Sequence, residues 1–79
     1  MIDIEILGPG CKRCDEAERL VKETVNEYRI EAQVEKITDF RQIAARGVFS
    51  TPAVVINGKV MTVGRVPRKE ELLDWLGVA

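Results

Sequence analysis

The sequence predicts an α/β fold of element order βαβαββα, a four-stranded mixed sheet with three helices. Three observations carry this reading. Apolar residues recur with period two over residues 2–7 and 31–37, and with helical spacing in the stretch between them. Asn57-Gly58 separates a short β-branched run, Ala53–Ile56, from a return strand, Lys59–Val63, which reads as a hairpin. The segment 67–76 then returns to helical spacing. A strand–helix–strand opening implies a parallel pair joined by a crossover, and the hairpin adds antiparallel strands, so the sheet is mixed.

The elements follow in order. Ile2, Ile4 and Ile6 lie on one face of the first strand, with Asp3 and Glu5 on the other, and Gly8-Pro9-Gly10 ends it. From Cys11 to about Arg29, the residues Ala17, Leu20, Val21, Thr24, Val25 and Tyr28 form a helical stripe. Glu18 and Lys22 make an i,i+4 pair of the favourable orientation. Ala32, Val34 and Ile37 mark the second strand within 31–37. Asp39, followed by Gln42, reads as a helix N-cap with its reciprocal partner. Phe40, Ile43 and Ala44 are expected on the buried side of that short helix, with Gly47 as its stop. Ser50-Thr51-Pro52 leads into the strand Ala53-Val54-Val55-Ile56, and Lys59–Val63 returns after the turn and ends at Gly64. Pro67 is expected to open the last helix, which buries Leu72, Leu73 and Leu76 and stops at Gly77.

Seventy-nine residues suit a single domain spanning 1–79. Twelve basic and thirteen acidic side chains give a net charge of −1, which argues against nucleic acid as a partner. A 46% hydrophobic fraction is enough to build a core, and no apolar run approaches the roughly 20 residues of a membrane helix. The opening Met-Ile-Asp-Ile-Glu-Ile places acids where a signal peptide needs basic and then apolar residues, so a cytoplasmic protein is expected. Nothing in the pattern requires more than a monomer. The absence of histidine removes Ser-His-Asp and Cys-His catalysis and every His-based metal site.

The two cysteines stand together as Cys11-Lys12-Arg13-Cys14, at the junction of the first strand and helix. Residues three apart on a helix have Cα atoms about 5 Å apart, within the roughly 4.4–6.8 Å that a disulfide spans. A thiol at a helix N-terminus faces unpaired N–H groups and the positive end of the dipole. Lys12 and Arg13 act in the same direction and Asp15 and Glu16 against it, so the Cys11 thiol is expected below its ordinary pKa. Cys11 is then the exposed nucleophile. Cys14, on the stripe of Ala17 and Val21, is the buried resolving thiol. The same pair of soft ligands also suits a carrier of Cu(I) or zinc, although two cysteines without histidine do not complete a structural zinc site. Two idle thiols, or a binding domain with a residual disulfide, are the further alternatives.

A strand followed by Gly8-Pro9-Gly10-Cys11-Lys12-Arg13-Cys14 at a helix start, and Thr51-Pro52 before Ala53-Val54-Val55-Ile56-Asn57-Gly58-Lys59, resembles the thioredoxin superfamily. Val63-Gly64 and the stretch from Lys69 to Leu76 are similar to its closing strand and helix, so the resemblance covers nearly the whole chain. It implies a minimal, glutaredoxin-sized thioredoxin fold. It also implies a cis Pro52 facing the disulfide, a Thr51 backbone open to a substrate strand, and a Gly64 that leaves room beside that groove. Gly10, Lys12 and Arg13 would complete the substrate-binding surface.

The implied activity is reduction of protein disulfides with no cofactor beyond the two sulfurs. Electrons would come from an external reductase: a flavin thioredoxin reductase is the expected donor, with a ferredoxin-linked reductase or glutathione as alternatives. The chain departs from the family at three places. Pro9-Gly10 replaces the Trp that precedes the motif in many thioredoxins. Both residues between the cysteines are basic. Gly64-Arg65-Val66-Pro67 stands where glutaredoxins hold glutathione with a glycine pair and an aspartate. Phe40, Phe49 and Trp75 read as packing residues, and Arg65 and Arg68 as solvated surface or a basic rim.

Overall fold

The computed structural model describes residues 1–10 and 12–78; Cys11 and Ala79 lie outside the described residues. The elements are β1 (Ile2–Leu7), α1 (Lys12–Glu27), β2 (Ala32–Ile37), α2 (Phe40–Ala45), β3 (Ala53–Ile56), β4 (Lys59–Val63) and α3 (Lys69–Trp75). The sheet order is β2-β1-β3-β4. β1 runs parallel to β2 and antiparallel to β3, and β3 pairs antiparallel with β4. This is the expected βαβαββα fold with a four-stranded mixed sheet. Among the described residues, no helix is long and apolar enough to cross a membrane.

Side-chain alternation along the central strands divides the core in two. Ile4, Ile6, Val54 and Ile56 project to one face, where they meet Ala17 and Val21 of α1 and Leu72 of α3. Leu7, Ala53 and Val55 project to the other, where Ile37, Ile43 and Val48 close over them. β3 is buried at all four positions, as a strand covered on both faces must be. Trp75 and Leu76 pack partly buried against the first cluster.

The turns follow local chemistry. Asn57 and Gly58 both take positive φ, +50° and +81°, which the tight hairpin requires. The Asn57 side chain also accepts from the Asp3 N–H at 2.9 Å, and its own N–H donates to the Asp3 carbonyl at 2.8 Å. The hairpin is thereby tied to β1. Asp39 caps α2 as expected, its carboxylate accepting from the Arg41 N–H at 2.8 Å. Gly47, at φ +75°, ends that helix, with the Val48 N–H reaching back to the Ile43 carbonyl.

Four expectations need correction. α3 begins at Lys69, not at Pro67, because Arg68 is the N-cap residue and its N–H donates to the Glu71 carboxylate at 3.0 Å. Glu71, at N3, fixes the start, and Pro67 lies one residue outside the cap. Arg65 donates twice to the same carboxylate at 2.7 Å, and these bonds hold the Glu71 pKa down at about 2. α1 ends before Arg29, which turns to φ +50° while the Ile30 N–H bonds the Val25 carbonyl. Tyr28 is therefore exposed, with Lys69 5.6 Å above its ring. Of the three leucine positions expected inside α3, only Leu72 is buried; Leu73 and Leu76 are half-buried.

Phe40 and Phe49, expected in the core, are 69% and 84% exposed. A helix of six residues offers one inward position here, Ile43. Val48 fills the remaining space, and Phe49, the next residue along a non-helical chain, points away from it. Ala44 is likewise exposed.

So short a helix is held by more than Ile43. Arg46, just past its end, clips it to the sheet: Nε and one terminal nitrogen each donate at 2.7 Å to the two oxygens of Glu5 on β1. The Arg46 hydrogen bonds hold the Glu5 carboxyl below its ordinary range. Arg46→Ala is expected to cost about 1 kcal/mol, since the pair is bidentate and only a quarter or so exposed. That corresponds to a Tm lower by about 4–8 °C at neutral pH. A carboxylate with a depressed native pKa stabilises above its unfolded value and loses that stabilisation as pH falls through the native one. The difference between the two proteins should therefore shrink from pH 5 downward, and thermal melts across that range check it.

Candidate active site

The β register assembles the site. Leu7 of β1 faces Ala53 of β3, so Gly8, just beyond β1, lies beside Thr51, just before β3, and Pro9 and Gly10 lead from there to α1. Ala53 also faces Val63 of β4, which brings Gly64 alongside Pro52. The Gly64 N–H donates to the Pro52 carbonyl at 2.9 Å. Three segments distant in sequence converge at the end of the sheet from which α1 departs.

The Thr51-Pro52 peptide bond is cis, as the resemblance implied. Pro52 is buried and Thr51 half-buried. Gly64 has φ +77°, and a Cβ there would stand 3.3 Å from the Ser50 Cβ, so both backbone and space favour glycine. Gly10, at φ +99°, is exposed with open space where a side chain would be. Its glycine answers to the turn alone.

Cys14 sits one turn into α1 and is 0% exposed. It continues the buried stripe of Ala17, Val21 and Thr24, with spacings of three, four and three. Lys12 and Arg13 are exposed. The predicted nucleophile, Cys11, lies outside the described residues. The structure thus brings Gly10, Lys12, Arg13, Cys14, Thr51, Pro52 and Gly64 to one end of the sheet, through the contacts and register given above.

Two features of the site were not read from the sequence. Asp15, set above against the Cys11 thiolate, is engaged by Lys36 of β2 at 2.6 Å. Glu18 lies 3.6 Å from the same ammonium. The Asp15 hydrogen bond holds the Lys36 pKa up. The lysine thereby offsets the acidic charge of the first helical turns. Alternation within β2 places Lys36 on the face opposite Ile37, which is the available signal. The second feature is an open apolar groove of about 240 Å³ beside Thr51, lined by Phe40, Ile43, Ala44, Val48 and Phe49. It exists because the two phenylalanines stay out of the core.

Comparison with known proteins supplies the family. The thioredoxin-domain family model matches residues 2–77. The chain is 38% identical over 72 residues to a thioredoxin of Methanothermobacter thermautotrophicus, covering 91% of this chain and 94% of that protein. It is 37% identical over 76 residues to a thioredoxin of Methanocaldococcus jannaschii, covering 96% and 87% respectively.

Proposed function

The chain belongs to the thioredoxin family, and from that premise we propose that it reduces protein disulfides through Cys11 and Cys14. The Cys11 thiolate attacks one sulfur of a substrate disulfide, forms a mixed disulfide and expels the other sulfur as a thiolate that takes a proton. Cys14 gives up its proton and attacks the Cys11 sulfur. The Cys11–Cys14 bond forms, and the second substrate sulfur leaves. Two electrons have passed from the dithiol to the substrate, and a separate reductase, by preference a flavin thioredoxin reductase, returns them.

The observation that carries this reading is the burial of Cys14 beside exposed Lys12 and Arg13 on the opening turn of α1. A resolving thiol is best kept from solvent and from outside disulfides until an intermediate forms next to it. A Cu(I) or zinc carrier needs both sulfurs open to the donor and acceptor of its metal, which a fully buried Cys14 does not favour. Gly10, Thr51, Pro52 and Gly64 form the ground on which the substrate segment lies. Lys12 and Arg13 favour substrates with acidic residues near the cysteine.

Titrating the metal-free protein in dithiothreitol redox buffers, with thiol alkylation read by mass, tests the proposal. A single two-electron transition is expected at about −270 mV or lower, the range of thioredoxins. A midpoint near about −200 mV would move the electron donor to glutathione. If no disulfide forms, or if only bound metal protects the thiols, the oxidoreductase reading fails and the carrier replaces it.

A further inference from the structure

Gly8 reads in the sequence as the first residue of a Gly-Pro-Gly turn, where glycine needs no further reason. The structure gives it another. Gly8 does not take the left-handed φ that marks five of the chain's glycines, so its backbone would accept any L residue. Its N–H donates to the Ile37 carbonyl at 2.9 Å, continuing the strand pattern of β1. What forbids a side chain is space. A Cβ on Gly8 would stand 2.9 Å from the Cys14 Cβ and closer still to the Cys14 sulfur, with the Thr51 Cβ at 3.8 Å. The missing methyl is the place where the Cys14 thiol sits, between the end of β1 and Thr51.

We propose that Gly8 is a positioning residue for the resolving thiol. Its bare Cα lets the Cys14 sulfur settle against β1, at the depth from which it attacks the mixed disulfide on Cys11. This rests on the exchange reaction proposed above and adds a residue to it. A methyl at Gly8 displaces the Cys14 sulfur from that place without touching the backbone requirements of the turn. It acts on the second step of exchange. The first, attack by Cys11 on an outside disulfide, does not require Cys14 to be in register.

The chromogenic disulfide dithiobis(nitrobenzoate) separates the steps, because each releases one coloured thiolate. Cys11 attack expels the first and leaves an arylthio group on Cys11; Cys14 attack expels the second and closes Cys11–Cys14. With the reduced full-length protein in stopped flow, Gly8→Ala should leave the first release within about 3-fold of the parent. It should slow the second by about 10–100-fold, the scale of a misplaced reacting group. Equal rates for the second release in a folded Gly8→Ala protein would overturn the proposal, as would equal slowing of both phases. A parent protein that releases no thiolate, or only one per molecule, would instead overturn the exchange reading itself.

A stability cycle covers the case in which Gly8→Ala folds poorly. The urea midpoint lost on Gly8→Ala should be at least halved when the same change is made in a Cys14→Ala chain, where the obstructing sulfur is gone. An equal loss in both backgrounds, or failure to fold in both, would show that the turn or the Cys14 Cβ, and not the sulfur, demands glycine, and would overturn the proposal.

Discussion

Cys14→Ser is expected to stop the reaction at the mixed disulfide. The hydroxyl replaces the sulfur at nearly the same size, so α1 keeps its buried stripe of Ala17, Val21 and Thr24. The cost to the fold is at most the roughly 1–3 kcal/mol of a buried hydroxyl that finds a poor partner. The cost to the chemistry is far larger, because a serine hydroxyl cannot displace a thiolate from the Cys11 sulfur. Release then depends on a second thiol arriving from solution. An intramolecular attack by a well-placed group corresponds to an effective concentration of about 10⁵ M or more, against millimolar external thiol. Turnover of a protein disulfide should therefore fall by at least about 10³-fold, while the first attack by Cys11 remains. The variant should accumulate covalent complexes with its substrates that survive non-reducing electrophoresis and vanish with dithiothreitol. Turnover at the parent rate would mean that Cys11 works alone and would remove Cys14, and with it Gly8, from the mechanism. A pure binding domain would behave differently again, keeping the same non-covalent partners whether or not Cys14 is present.

What could be read from the sequence divides along physical lines. Strands and turns were legible because their rules are local. Ile2, Ile4 and Ile6 alternate, and Asn57-Gly58 takes the two positive φ values that a tight hairpin demands. Asp39 and Gly47 bracket α2 by short-range hydrogen bonds that their residue types announce. The start of α3 was misplaced because its cap is unusual: Arg68 is not a typical capping residue, and the fixing group is Glu71, three positions on. The phenylalanines were misplaced because aromatic character alone says nothing about how many inward positions a six-residue helix can offer. The cis Thr51-Pro52 bond was expected only through resemblance, since nothing in the neighbouring residues distinguishes it from an ordinary trans proline. The contact between Gly8 and Cys14 joins two elements across the β1–α1 junction and has no signature in either one.

Leu72→Ala is expected to have the largest effect on stability. Leu72 is 0% exposed and is the one fully buried residue of α3. It belongs to one buried cluster with Ile4, Ile6, Val54 and Ile56 from the sheet and Ala17 and Val21 from α1, so it ties the last helix into the core. Removing its isobutyl end costs the lost transfer energy plus the cavity left behind, about 2–5 kcal/mol in total. The neighbours have little freedom to collapse, because the β-branched residues among them are stiff and the sheet fixes their backbones, which places the cost at about 3 kcal/mol or above. At roughly 0.05–0.15 kcal/mol per residue, 79 residues give a total stability of only about 4–12 kcal/mol. One side chain in a seven-residue helix thus removes a quarter to more than half of what holds the fold. The melting temperature of the reduced protein should fall by about 12–24 °C. Leu73→Ala, on the half-buried side of the same helix, provides the comparison and should cost less than half as much. A loss under about 5 °C for Leu72→Ala would mean that α3 is not a cooperative part of the core. The stripe of α1 that receives Leu72 is the same stripe that begins with Cys14, so the buried thiol and the last helix draw on one packed surface. For that reason the thiolate releases of Leu72→Ala should stay close to the parent's well below its own melting temperature, and both should fail together as it is approached.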